Sequence, residues 1–175
     1  MKKVFACILL IAICILTASC NNDVSFSDVV KNPDITEAEF ALYSGDLSIA
    51  LNTDITNFKK EPIKVKDGSG DGFSWSEYEY YDITVKALKT DDGTTNVIKI
   101  TTSSSDYVTS KGIKVGDNTE LLKERYDEYL YYQENIDNGD YYLYDPENDL
   151  GFKKIRFYVE DEIIKTIEME DTIDG

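Results

Sequence analysis

Apolar positions change their spacing along the chain, and each change marks an element. Val4 to Leu16 is an unbroken apolar run. Residues 21–39 are mostly polar and contain Pro33, which predicts a flexible tether with little to pack. From Phe40 the pattern alternates: Phe40 and Leu42, a turn at Ser44-Gly45-Asp46, then Leu47, Ile49 and Leu51. That spacing predicts a β-hairpin. Thr53 or Asp54 can cap a short helix carrying Ile55 and Phe58, and Pro62 would end it, because proline disfavours helical backbone in the residue before it. Asp67-Gly68-Ser69-Gly70-Asp71-Gly72 reads as a flexible loop. Strand spacing returns between Tyr78 and Leu88, with Tyr81, Ile83, Val85 and Ala87 on one face. It appears again at Val97–Thr102, after a turn at Asp91-Asp92-Gly93.

The same order then recurs. Ile113 and Val115 follow the spacing of Ile49 and Leu51, and Gly116-Asp117-Asn118 opens a second helix. Asp117 and Glu120 are spaced as a capping box. Leu122, Tyr126 and Tyr129 form one stripe that would carry this helix toward Tyr129 or Leu130. Ile155, Phe157 and Val159 alternate, Glu160-Asp161-Glu162 turns, and Ile163-Ile164-Lys165 echoes Val97-Ile98-Lys99. The expected fold is therefore α+β. It has one antiparallel sheet with two short helices on one face, built from two tandem helix–strand–strand pseudo-repeats at about 47–102 and 111–170. A single domain would cover residues 40–175, with Ile83, Val85, Phe157, Val159 and Ile167 in its core.

The amino-terminal run has its own logic. Lys2 and Lys3 precede thirteen apolar residues. As a helix that run would span about 20 Å, short of the roughly 30 Å hydrocarbon core. It therefore reads as a signal-peptide core, with a small-residue cleavage site after it, rather than a permanent span. Leu16-Thr17-Ala18-Ser19-Cys20 resembles the lipobox of bacterial lipoproteins, although Thr17 stands where that family often has Leu. The resemblance implies removal of residues 1–19 and a diacylglycerol on Cys20. Residues 20–39 would then be a lipidated tether holding the domain to a membrane on its extracytoplasmic side. Two or three acyl chains hold a protein stably where one is marginal. Cys7 and Cys14 would leave with the leader, so the mature chain could form no internal disulfide. Losing Lys2 and Lys3 takes the net charge of −16 two units further, to −18.

A second resemblance covers about 60 residues of the second half. The stretch Lys111-Gly112-Ile113-Lys114-Val115-Gly116-Asp117-Asn118-Thr119-Glu120-Leu121-Leu122, followed by Tyr126, is similar to the helix entry of small bacterial lipoproteins of the BamE-like and beta-lactamase-inhibitor-protein-like group. The segment Phe157 to Ile167 resembles the hairpin that closes their unit. Tyr126 is followed by Asp127, where that group often has Gly. The resemblance implies an antiparallel sheet with helices on one face and mostly binding functions, and it carries no catalytic residue to transfer.

Composition narrows the chemistry. With 34 acidic against 18 basic residues, the chain is poorly suited to nucleic acid, because phosphate contacts depend on Lys and Arg. It has no His, the side chain best placed for acid–base work near pH 7 and the commonest metal ligand. No Ser-x-x-Lys context stands out, so no nucleophile is paired with a base. A non-enzymatic protein without cofactor is expected. Asp67, Ser69 and Asp71 partly match a calcium loop, but Tyr78 occupies the position of the bidentate Glu. A Gly-rich surface loop accounts for that segment better.

The acidic excess keeps a tethered domain soluble, and it could also attract a basic partner. Six of the thirteen Tyr fall at Tyr129, Tyr131, Tyr132, Tyr141, Tyr142 and Tyr144. Neighbouring strand residues point to opposite faces, so Tyr141 and Tyr142, and likewise Tyr80 and Tyr81, would divide between core and surface. The outer face would then show several Tyr among charges such as Asp82 and Lys86. Tyr suits interfaces because it pairs large apolar area with a polar tip. The expected function is a membrane-anchored binding module for a protein or envelope component. The alternatives are an assembly lipoprotein of the envelope and an inhibitor of a secreted enzyme.

Overall fold

The computed structural model describes residues 37–70, 72–135, 139–146 and 153–172. Two antiparallel sheets hold most of them. In the small sheet, β1 (Ala41–Ser44) pairs with β2 (Leu47–Ala50) on one side and β7 (Val108–Thr109) on the other. The large sheet has eight strands: β3 (Lys64–Gly70), β4 (Phe73–Glu79), β5 (Ile83–Lys89), β6 (Thr95–Thr102), β8 (Leu130–Gln133), β9 (Tyr141–Tyr144), β10 (Lys153–Glu160) and β11 (Ile163–Asp171). Their order is β3-β4-β5-β6-β11-β10-β9-β8. Two four-stranded meanders thus join through their last strands.

Among the described residues the fold is predominantly β, which corrects the expected α+β class with two helices on one face. Only α1 (Thr119–Tyr126) is an α-helix; Glu37–Phe40, Ile55–Asn57 and Asp127–Tyr129 are single 3-10 turns. At the first expected helix, Asp54 does cap, accepting from the Thr56 amide at 2.8 Å. The chain leaves at once, however, and Phe58 is already extended (ψ 105°). Ile55, Thr56 and Asn57 are weak helix formers, and Pro62 follows too soon for another turn.

At the second helix the cap is Asn118, whose Oδ1 accepts from the Leu121 amide at 2.8 Å. Asp117, the expected cap, accepts from the Lys114 amide before the helix begins. The helix stops at Tyr126 because Asp127 takes a backbone conformation outside the helical region (φ 16°, ψ −78°). The expected loop at Asp67–Gly70 is the end of strand β3, with Gly72 (φ 84°) in the turn that follows.

Ile83, Val85, Phe157 and Ile167 are buried, while Val159 is half-buried against the core beside a register shift. The core lies on one face of the large sheet, under Leu42, Ile49, Leu51, Phe58, Ile113 and Leu122 from the other elements. Tyr126 closes α1 onto it, with its ring edge-on to Tyr144 at 4.8 Å and Phe157 at 5.0 Å. Each such ring pair adds about 0.5–1.5 kcal/mol beyond area burial.

The two meanders match in detail. Hairpins β5–β6 and β10–β11 each carry one register shift, after Lys86 and after Tyr158. Aligning the shifts places buried Ile83 and Val85 on Ile155 and Phe157, and Val97 and Ile100 on Ile164 and Ile167. The Asn52 amide donates to the Val97 carbonyl at 2.8 Å and Val97 donates back to Thr53 at 2.9 Å. Gly116, Ile164 and Asp117 repeat this exchange at 2.9 Å and 2.9 Å. Asn52 (φ 60°) and Gly116 (φ 95°) share the left-handed backbone that the turn requires.

Where the meanders meet, Thr102 pairs with Ile167 and Ile100 with Met169. Under the same alignment these two pairs exchange, and Thr101 pairs with its own equivalent, Glu168. A local two-fold axis therefore crosses the sheet at Thr101 and Glu168. The recurring unit is a capped turn followed by four strands, not the helix–strand–strand unit expected from spacing alone.

Candidate binding surface

The other face of the large sheet carries no described element. Strand alternation and register line its side chains up in rungs. One rung crosses all eight strands as Lys64, Glu79, Thr84, Thr101, Glu168, Arg156, Leu143 and Tyr131. The next runs Lys66, Glu77, Lys86, Lys99, Glu170 and Lys154. Six of the chain's 18 basic residues thus share this face with Glu77, Glu79, Glu168, Glu170 and the terminal Glu160. In a chain of net charge −16 the face is close to neutral.

Its centre is a lattice of ion pairs around the two-fold axis. Lys99 Nζ lies 3.0 Å from Glu168 and 3.5 Å from Glu170. Arg156 bonds Glu168 at 2.8 Å and also reaches Glu170. The Glu168 side chain is only 11% exposed, so the attraction within the pairs is less screened than at the surface, while desolvation offsets part of it. Burial works against charge on Lys99, yet Glu168 and then Glu170 outweigh it and raise its pKa. Burial likewise opposes ionisation of Glu170, and Arg156 with Lys99 reverses that, lowering its pKa.

Beyond the lattice, aromatic side chains mark both ends. At one end the Trp75 indole packs against Gly68 of β3, in the space a Cβ there would occupy. Lys86 Nζ lies 4.5 Å from the indole centroid. At the other end Tyr131, Leu143, Tyr141 and Tyr158 share the outer face, and the last two rings are 5.4 Å apart.

The tyrosines singled out in the sequence divide five ways. Tyr131 and Tyr141 lie on the open face. Tyr132 and Tyr142 pair at 5.1 Å on the opposite side, at the rim of the sheet. The Tyr132 hydroxyl donates to Asp140 at 2.7 Å, and that bond raises its pKa to about 12. Lys123 Nζ stands 5.2 Å from the Tyr142 ring. Tyr144 and Tyr80 are in the core, the first donating to Glu39 at 3.0 Å and the second edge-on to Phe58 at 5.1 Å. Tyr129 is half-buried against the core. Tyr81 is 92% exposed in the turn after β4. Asp82, expected on the sheet face, lies in that same turn and pairs with Lys60 at 2.7 Å.

Tyr158, Trp75 and Leu143 belong to this surface but were not singled out. The alternation of Ile155 and Phe157 already placed Tyr158 outward; what spacing could not show is that β9 lies beside β10.

Asp67 sits within β3, where Lys89 Nζ contacts its carboxylate at 2.9 Å and Ser76 donates to it. Ser69 lies two residues along the same strand, facing Ser74. Asp71 and Cys20 lie outside the described residues. Among the described residues no cluster of His, Cys, Asp or Glu would hold a metal ion, and no helix is long and apolar enough to cross a membrane.

Chemically, the surface offers half-exposed rings flanking charges that satisfy one another. No protein-family model, curated protein or solved structure matches the chain.

Proposed function

We propose that the chain is an extracytoplasmic lipoprotein, anchored through Cys20, that works as a non-catalytic binding module and docks a protein partner on the open face of its large sheet. One observation carries this reading: a face eight strands wide has no described element packed on it, yet holds Trp75, Tyr131, Leu143, Tyr141 and Tyr158 at its ends. Trp and Tyr are enriched among interface hot spots, and here they flank charges that satisfy one another. The lipobox at Leu16–Cys20 supplies the anchor reading.

Two experiments test it. Cys20→Ser should abolish lipid labelling and leave the precursor uncleaved; normal lipid incorporation in that variant refutes the anchor. In cells, a photo-crosslinking residue placed at Leu143 should capture one stoichiometric partner. A Tyr141→Ala/Tyr158→Ala double variant should weaken that capture at least tenfold, the loss typical of interface hot spots, while Tyr81→Ala should not. Equal effects of the two changes would remove the face as the docking site.

A further inference from the structure

Among the described residues the large sheet ends in two edge strands that differ sharply. Edge strands expose unpaired backbone groups, and proteins guard them with charge, proline or glycine. The β3 edge is guarded: Lys64-Val65-Lys66-Asp67-Gly68-Ser69-Gly70 carries three charges and two glycines. The β8 edge, Leu130-Tyr131-Tyr132-Gln133, carries no charge, no glycine and no proline. Among the described residues it pairs only with β9. Its side chains are largely exposed, Tyr131 at 43% and Tyr132 at 48%.

The stretch of chain that carries β8 is one-signed in sequence. From Tyr126 to Phe152 the chain has eight Asp or Glu and no Lys or Arg. Described acids bracket the strand: Asp127 and Glu128 before it, Glu134 and Asp140 after it. On the rim side a groove is lined by Tyr132, Tyr142, Asp140, Glu160 and Glu162. Tyrosine faces beside carboxylates suit a cation, and Lys123 already places its ammonium over Tyr142.

We propose that β8 takes up a basic, extended segment of a protein partner as a ninth strand. The partner's main chain pairs with the β8 edge, and alternate Lys or Arg side chains enter the Tyr132–Tyr142 groove. A second copy of this chain is disfavoured as occupant, because each brings net charge −16 and the same acids to the junction. The proposal rests on the reading of this protein as a binding module and names the chemistry of what it binds.

The probe is a fluorescein-labelled decapeptide alternating Thr or Val with Arg or Lys, titrated into the full chain. Its controls are the same peptide with Glu at each basic position, and two versions N-methylated at alternate amides, one in each register. A strand bonded along one side loses affinity in only one of those registers. The basic peptide should bind at least tenfold tighter than the Glu peptide and slow hydrogen exchange of the β8 amides. One N-methylated version should lose at least tenfold, and Tyr132→Ala should weaken binding about tenfold.

Equal affinity for both charges, equal effects of the two methylated registers, or unprotected β8 amides would each overturn the proposal. So would a concentration-dependent dimer that protects β8 without peptide, since the occupant would then be a second copy. If the peptide fails while Tyr141→Ala/Tyr158→Ala still weakens partner capture at Leu143, strand addition falls and docking on the open face stands. If the peptide holds and that double variant changes nothing, the edge stands and the face falls.

Discussion

Gly68 and Trp75 show how one missing side chain shapes a surface. The indole occupies the space a β-carbon would need, so Gly68→Ala must push the ring off β3. Forcing extra volume into a packed contact costs typically about 1–3 kcal/mol. Trp75 is the only Trp in the chain, so the displacement should appear directly as a change in intrinsic fluorescence. Denaturant titration of Gly68→Ala should give the stability loss, and an unchanged spectrum would mean the indole does not rest there.

Acid behaviour is also set residue by residue. Thr90 and Thr94 hydrogen bonds lower the Asp92 pKa from 3.8 to about 2, and Glu170 is lowered from 4.5 once Arg156 and Lys99 outweigh its burial. A carboxylate with a lowered folded-state pKa stabilises the fold above its unfolded value and loses that contribution as pH falls through the folded one. Stability should therefore decline between about pH 4.5 and pH 2. Glu170→Gln and Asp92→Asn together should flatten that decline in urea melts across the window.

At the scale of elements, α1 depends on Asn118. Its side chain satisfies the Leu121 amide, one of the donors a helix start leaves unpaired. Asn118→Ala should cost about 1 kcal/mol by equilibrium unfolding, and Asp117→Ala, whose bond lies before the helix, should leave α1 amides as protected as in the wild type. Spacing alone put the cap one residue early because Asp117 and Asn118 are both good caps, and only backbone geometry chooses between them.

Strands with apolar alternation were legible for a plain reason: one face buried and one wet gives a period of two. Ile83 to Ala87 and Ile155 to Val159 have it. Strand β3 lacks it, since an edge strand with most side chains in water has no core face to imprint, and its glycines read as loop. The first helix is over-read because Ile55 and Phe58 have helical spacing, yet the weak helix formers between them and Pro62 after them hold the chain to one 3-10 turn. Of the binding surface, the abundance of tyrosine was legible. The separation of Tyr131 and Tyr141 from Tyr80 and Tyr144 depended on which strands became neighbours.

For the whole molecule, the join between β6 and β11 sets how the chain holds together. Its pairing is self-complementary about Thr101 and Glu168, and β1 pairs with β7 across the same division of the sequence. Such a seam has the form of a contact between two identical subunits that happen to share one polypeptide. Cutting the chain in the mostly exposed stretch Ser103–Asp106 should then leave two pieces that find each other. Coexpressed fragments ending at Ser104 and beginning at Ser105 should co-purify one to one and recover the hydrogen-exchange protection of Ile100 and Ile167. Either piece alone would carry the seam uncovered and should pair with itself, turning one covalent molecule into a two-part assembly whose stability depends on concentration.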